Sequence, residues 1–279
     1  TASGWTDADQ QLDIPQTALQ SYNQLLYGFD ESNSGFDAPT CVKIDSDSAF
    51  NFGTNSFSAS VWFRRDGDMA GVHNIFRRGG WSGVGYSIAI DSAENLSINF
   101  SFGTGSDNMW AKTAATIEKG KWYHAVGVWN RDGDQQLYLN GEKQTMADDY
   151  DISGESSETM DSTNDLFLYT TASDSESAHF PGVITELSLW KIALNQAMID
   201  DLYNDGKAIN CLVHGVYAAA PSYLRGYWRN NGLAQWKDET NNDNHSSEVD
   251  GSETMLITAG VDGSRDSQGF LMNRQRATN

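Results

Sequence analysis

The chain has 279 residues, and its 18 Lys and Arg stand against 38 Asp and Glu, for a formal net charge of −20. This excess of negative charge argues against nucleic acid as a partner, because phosphates would be repelled. No stretch approaches the roughly 18 consecutive apolar residues of a membrane helix. We therefore expect no membrane insertion. The first residues lack a basic region followed by an apolar run, so no signal peptide is visible, and both removal of an initiator Met and cleavage of a leader stay open.

Alternating apolar and polar residues predict strands along most of the chain, after a polar N-terminal arm at residues 1–21. In the first clear strand, Phe57, Ala59, Val61 and Phe63 share one face. Further strands are predicted around residues 86–90, 96–102 and 166–168. Gly, Asp, Asn and Ser clusters separate these strands, which indicates two packed sheets that each have one wet face.

Residues 121–143 predict three antiparallel strands joined by two tight turns. The first strand has two alternating faces, one with Trp122, His124, Val126 and Val128 and the other with Tyr123, Ala125, Gly127 and Trp129. Asp132-Gly133 and Asn140-Gly141 supply the turns, because glycine tolerates the positive φ that a tight hairpin needs. A meander of this kind is typical of a large antiparallel sheet.

The last third of the chain predicts one strand, one helix and a tail. The strand is predicted to contain Val183, Thr185, Leu187 and Leu189. Helical spacing of apolar residues predicts a helix at 195–204 with Gly206 as its C-terminal cap. Strand character returns at 223–228. Residues 251–279 hold three arginines and few aromatic residues, and we expect a C-terminal tail there.

Four segments resemble a known family in the expected order. The run "GKWYHAVGVWNRDGDQQLYLNGE" resembles the central signature of laminin-G-like and pentraxin-like jelly rolls of the concanavalin A-like superfamily. The runs "FNFGTNSFSASVWF", "FPGVITELSLW" and "LNQAMIDDLYNDG" resemble its early strand, its late strand and its short helix. The resemblance covers roughly residues 22–250. It implies an all-β, antiparallel two-sheet jelly-roll sandwich with one short helix.

No catalytic constellation is visible in the sequence. Retaining glucanases of the same fold place carboxylates on alternate residues of one strand. Here Glu186 is alone, with Ile184 and Ser188 at the partner positions. Nucleophile-elbow, metalloprotease and P-loop motifs are also missing from the sequence. We therefore expect no enzyme. Cys41 and Cys211, 170 positions apart, are expected to be buried thiols rather than a disulfide.

Two segments are candidate calcium sites. Residues 144–190 hold ten carboxylates and no Lys or Arg. Calcium takes six to eight oxygen ligands, but a solvated acidic loop explains these residues equally well. The segment at 238–246 resembles a family loop written D-x-S-G-x-G-N that commonly holds calcium. The resemblance implies Asp238, Asn242 and Asn244 as ligands, although Asn241 and Asp243 replace the two family glycines.

Carbohydrate recognition uses exposed aromatic rings that stack on sugars, supported by polar loop residues. Trp81, Trp110 and Trp236 lie among polar residues and are the candidate ligand-binding residues. Core packing is the alternative for each of them.

Two functions remain open at this point. The segments after residue 194 are similar to laminin-G-like virion proteins of marine tailed phages. This similarity implies a structural or adhesive protein at a virion surface, assembled in the host cytoplasm through its terminal segments with itself or with other virion proteins. The alternative is an extracellular, calcium-assisted carbohydrate-binding lectin module.

Overall fold

The computed structural model describes residues 24–28, 41–69, 71–79, 83–103, 108–147, 151–170, 179–213, 215, 217, 221–230, 235–250, 255–258 and 275–276. The first eight strands are β1 (Gln24–Gly28), β2 (Cys41–Ile44), β3 (Phe57–Arg65), β4 (His73–Arg78), β5 (Gly83–Ile90), β6 (Asn95–Gly103), β7 (Asn108–Thr116) and β8 (Trp122–Trp129). The other eight are β9 (Gln135–Leu139), β10 (Glu142–Lys143), β11 (Leu166–Leu168), β12 (Gly182–Trp190), β13 (Leu224–Trp228), β14 (Ser246–Asp250), β15 (Met255–Thr258) and β16 (Gln275–Arg276).

These strands form two antiparallel sheets. Sheet A has nine strands in the order β10-β9-β8-β3-β12-β1-β15-β16, and β13 also pairs with β12. Sheet B has seven strands in the order β14-β2-β11-β4-β5-β6-β7. The predicted all-β, two-sheet sandwich with one short helix is confirmed. The three strands predicted within residues 121–143 are β8, β9 and β10.

The core lies between the two sheets and follows the predicted alternation. From sheet A it receives one face of β3, including Phe57 and Phe63, and one face of β8, including Trp129. From sheet B it receives alternate residues of β5 and β6, such as Ile88 and Ile98. The period of two along each strand therefore sets which side chains meet in the middle.

Strand β12 departs from simple alternation. Leu187 and Leu189 line the core, but before them the core-facing residue is Ile184 rather than Val183 or Thr185. The pairing with β3 shifts at this point, and Glu186 has a φ of 54°. This bulge inserts an extra residue, so the side chains on its two sides follow different phases of the alternation. The strand predicted here is confirmed, and the bulge decides which of its residues line the core.

Helix α1 (Gln196–Tyr203) covers the outer face of sheet A. It begins at Asn195, whose side chain accepts a hydrogen bond from Met198 N, and it ends at Asn204, whose φ is 46°. Asparagine tolerates this left-handed conformation, so the cap is Asn204 and not the predicted Gly206. A second apolar cluster forms under the helix from residues such as Val126, Trp190 and Leu202.

Both ends of the described chain contribute to sheet A. Strand β1 pairs with β12 and with β15, and β16 pairs with β15. The segment predicted as a C-terminal tail at 251–279 therefore supplies two strands. The arm predicted at 1–21 lies outside the described residues. No helix in the described ranges has the length and apolar character needed to cross a membrane.

Candidate functional site

The outer faces of the two sheets differ in polarity. On sheet A the outer face carries the apolar cluster that helix α1 covers. On sheet B the outward positions of β4 to β7 are mostly polar or small, and one row across the strands holds Arg77, Ser87, Asn99 and Trp110. Phe167 of β11 lies beside Arg77 and extends the row. A polar sheet face that ends in aromatic residues has the composition of a carbohydrate-binding surface.

Trp110 stands at the edge of this face, on the last strand of sheet B. Its neighbours Met109 and Ala111 pack on the core, so Trp110 is directed away from it. Trp110 is half-buried, whereas Asn99 on the adjacent strand is buried. Lys112 follows two residues later, and its side chain is 43% exposed and paired with Asp91 at 3.5 Å. We call Trp110, Lys112, Asn99 and Ser97 the β7 surface.

Hydrogen-bonding capacity on this face is not fully used by the fold. Asn74 is fully buried on β4, and neither atom of its side-chain amide has a hydrogen-bond partner. Nearly all buried polar groups in native proteins are paired, so an unpaired amide marks a position where a ligand or water would be favourable. Burial also lowers the pKa of Arg77 to about 10. Alternation in the predicted strand at 96–102 places Asn99 on its polar face, whereas no motif or periodicity pointed to Asn74, Arg77 or Lys112.

The other two predicted tryptophans have different settings. Trp81 lies outside the described residues. Trp236 is fully buried, and its ring lies 6.3 Å from Tyr169 between centroids. The expectation of an exposed aromatic at Trp236 is wrong. Its neighbours Gln235 and Lys237 are exposed, but in an extended segment the side chain between two exposed residues points the opposite way.

The 238–246 loop is organised around the carboxylate of Asp238. One oxygen accepts from Tyr227 N at 3.1 Å, from Thr240 N at 2.9 Å and from Thr240 Oγ1 at 2.8 Å. The other oxygen accepts from Asn244 N at 3.2 Å. Asp243, at one of the family glycine positions, has a φ of 56°, so it takes up the left-handed conformation that glycine would provide. The loop is therefore pinned to β13 by hydrogen bonds.

These contacts leave little of the Asp238 carboxylate for a calcium ion. Each carboxylate oxygen has two lone pairs, and three donors reach one oxygen of Asp238 while one donor reaches the other. Asn242 lies outside this set and donates from Nδ2 to Arg225 O at 3.0 Å. Calcium binding by Asp238, Asn242 and Asn244 stays a prediction, and any ion would have to displace donors that hold the loop.

If the loop binds calcium, we expect a higher melting temperature in millimolar calcium than in chelator, because a ligand that binds the native state stabilises it. Thermal melts of the full chain measure this. A rise in calcium that Asn242→Ala removes would establish the loop as a calcium site, since Asn242 is exposed and its loss leaves the Asp238 contacts in place.

The acidic segment at 144–190 has local structural roles where it is described. Asp151, Asp161 and Asp165 each accept a backbone N–H at 2.8 Å, from Ser153, Gly53 and Ser46 respectively. Within the described ranges no three His, Cys, Asp or Glu side chains lie close enough to hold a metal ion. Asp148, Asp149, Asp174 and Glu176 lie outside these ranges. Carboxylates that pin turns are typical of a loop-rich sandwich.

Glu186 belongs to a buried network beneath the segment that follows helix α1. Tyr227 Oη donates to one carboxylate oxygen, and Arg229 Nε donates to the other at 3.1 Å. Burial raises the pKa of Tyr227, and it raises the pKa of the Cys211 thiol to about 12. The negative charge of Glu186 is the second cause of both increases. Cys41 and Cys211 are both buried and no disulfide joins them, which confirms the prediction for the described cysteines.

The fold and the polar outer face of sheet B define a lectin-like β-sandwich. Residues 39–200 match the model of the Concanavalin A-like lectin/glucanases superfamily, and because this match spans more than half of the chain, the protein belongs to that family. Comparison with curated proteins found no match.

Two solved structures are similar to this chain. One is a protein from Bacteroides ovatus assigned as a carbohydrate binding protein, with 15% identity, a TM-score of 0.58 and coverage of 85% of this chain and 60% of that chain. The other is the native heptameric SAP-like pentraxin from Limulus polyphemus, with 14% identity, a TM-score of 0.48 and coverage of 66% and 82%. This chain thus spans 60% of the length of the first protein.

Proposed function

We propose that the protein is a non-catalytic carbohydrate-binding module and that a neutral glycan binds at the β7 surface. The observation that carries this proposal is Trp110, a partly exposed indole on the edge strand of a polar sheet face. An aromatic face stacks on the apolar face of a sugar ring, and nearby amide and ammonium groups bond its hydroxyls. Lys112, whose side chain is 43% exposed, is the group of this kind beside Trp110.

The charge of the chain favours a neutral ligand over an anionic one. The formal net charge is −20, so sulfated or carboxylated glycans would meet a repulsive field. Lys112 does not offset this field, because its ammonium is already paired with Asp91.

Binding without turnover is supported by the environment of the one carboxylate at the family's catalytic strand position. Glu186 is only 4% exposed and is held by Tyr227 and Arg229. A retaining glycosidase needs a second carboxylate about 5–5.5 Å from the first, at the reacting bond. Alternate positions on this strand hold Ile184 and Ser188 instead.

The test is a glycan array followed by calorimetry with the best neutral ligand. We expect Trp110→Ala to weaken binding at least tenfold, which corresponds to about 1.4 kcal/mol, and Trp110→Phe to weaken it less because a ring remains. The glycan should be recovered with its mass unchanged. Tyr223→Ala is the matched control, because Tyr223 is an exposed aromatic that precedes β13 in sheet A. Loss of binding in the Tyr223 variant but not in the Trp110 variant would refute the proposed surface.

The role at a virion surface, as a capsid decoration, fibre or appendage component, stays a prediction from the sequence resemblance. Electron microscopy of the native source tests it: particles labelled by an antibody to this protein would support that role. A freely soluble protein that binds the glycan by itself would favour the lectin module.

A further inference from the structure

Arg131 is a buried cation in the turn between β8 and β9. It is 2% exposed, and its guanidinium carbon lies 4.9 Å from the centroid of the Phe100 ring on β6, in the opposite sheet. Its Nη2 donates to two backbone carbonyls, those of Glu155 and Glu158, and the second bond measures 2.7 Å. The guanidinium therefore joins the β8–β9 turn both to sheet B and to the segment that carries these two glutamates.

The other two nitrogens of this guanidinium are unsatisfied. Nε carries one hydrogen and Nη1 carries two. Both nitrogens are buried, and neither finds an acceptor in the described part of the chain. Nearly all buried polar groups in native proteins are paired, and an unpaired donor that carries charge is costlier than a neutral one. The unpaired side of Arg131 is therefore a position where an acceptor would be strongly favoured.

Two other buried arginines show how this fold satisfies a guanidinium. Arg65 is paired with Glu94 at 2.7 Å. Each of the three guanidinium nitrogens of Arg78 donates to an oxygen. Arg131 has neither arrangement, since it belongs to none of the ion pairs found among the described residues.

Nearby negative charge does not replace a contacting partner. Burial lowers the pKa of Arg131, and the charges of Glu155 and Glu158 act in the opposite direction. Only the backbone carbonyls of these two glutamates accept from the guanidinium, and the Glu158 residue is exposed. The positive charge therefore lies in a site closed to bulk water and has no negative charge in contact with it among the described residues.

A second unpaired group lies at the same contact between the sheets. Gln135 of β9 is 2% exposed, and its Nε2 donates to Met109 O at 3.2 Å. Its Oε1 is buried and has no partner in the described ranges. Met109 is the register partner of Phe100, on whose ring Arg131 packs. Two side chains of the β8–β9 hairpin thus reach one residue pair of β6 and β7, and both keep unused hydrogen-bonding capacity there.

We propose that Nε and Nη1 of Arg131 bind a small monovalent anion, of the size of chloride. An anion accepts hydrogen bonds from these nitrogens and also neutralises the guanidinium in contact, whereas a water bridging Arg131 to Gln135 would leave the charge uncompensated. The net charge of −20 does not prevent binding, because exposed charges beyond about 10 Å are largely screened in roughly 0.1 M salt. The site does not depend on the glycan proposed at the β7 surface.

Thermal melts of the full chain test the site, with gluconate replaced stepwise by chloride at constant ionic strength. We expect a saturable rise of at least about 2 °C, because chloride would bind the native state and gluconate is too large for a site closed to solvent. Arg131→Met should melt at a lower temperature and lose the chloride-dependent rise. Arg65→Met is the matched control: it also removes a buried arginine, but one that has a carboxylate partner, so the rise should remain.

Crystals of the unchanged chain grown in bromide give a second measurement, which decides the question even if Arg131→Met fails to fold. We expect an anomalous peak in contact with Arg131 Nε and Nη1. Three outcomes would overturn the proposal: no saturable rise in chloride, an equal rise in Arg131→Met, or a water or no peak at these nitrogens. Trp110→Ala should leave the chloride effect unchanged, so a failure of glycan binding at the β7 surface would not be mistaken for a failure at Arg131.

Discussion

Replacing Trp129 with alanine is expected to lower the free energy of unfolding by about 3–5 kcal/mol, as large-to-small changes in a core do. The Trp129 ring is fully buried between the sheets. It stacks on Phe57 at 4.7 Å and meets Tyr86 edge-on at 5.5 Å, both between centroids. Its Nε1 donates to Asn99 O at 2.9 Å, so the substitution also removes a buried hydrogen bond.

Urea denaturation measures this loss, and Trp110→Ala is the matched control. Both changes remove an indole, but Trp110 is half-buried on the outer face of sheet B. We expect the control to cost less than about 1 kcal/mol, because substitutions away from the core have small effects. Equal losses in the two variants would contradict the assignment of Trp129 to the core and Trp110 to a surface.

Arg78→Met is expected to destabilise the protein by about 3–5 kcal/mol, since it removes a buried cation that holds two loops to sheet B. Arg78 is 1% exposed. Its guanidinium donates to Phe50 O and to Asn51 Oδ1 in one loop. It also donates to Ser162 O at 2.7 Å and Asn164 O at 3.1 Å in another. The methionine variant would leave these acceptors without the donors of Arg78.

Chemical denaturation of three variants separates the possible causes. Arg78→Lys keeps the charge but not the planar fork of donors, so we expect an intermediate loss. Lys121→Met removes an exposed cation and should change stability by less than about 0.5 kcal/mol. If Arg78→Met costs no more than Lys121→Met, then Arg78 does not hold the two loops.

The sequence by itself determined the architecture. Period-two alternation in β3 and β6 was enough to separate the two faces of each strand, because side chains alternate across a sheet. In β8 both faces are apolar and both are buried, so the alternation alone did not say which face lines the core. The Asn140-Gly141 turn and the spacing of Leu194, Met198 and Leu202 likewise specified a hairpin and a short helix from neighbouring residues alone. These signals come from neighbouring residues, so they predict local structure without knowledge of the tertiary structure.

Only the tertiary structure decided which residues could form sites. Trp110 and Trp236 both lie among polar neighbours, yet one is on an outer face and the other is in the core, because the fold of the whole chain sets which side of each segment is covered. The bulge at Glu186 reversed the phase of β12 through a single positive φ that the residue type does not reveal. The hydrogen bond from Gln196 Nε2 to Gly141 O joins helix α1 to the β9–β10 turn. These two residues are 55 positions apart, so no local pattern encodes their contact.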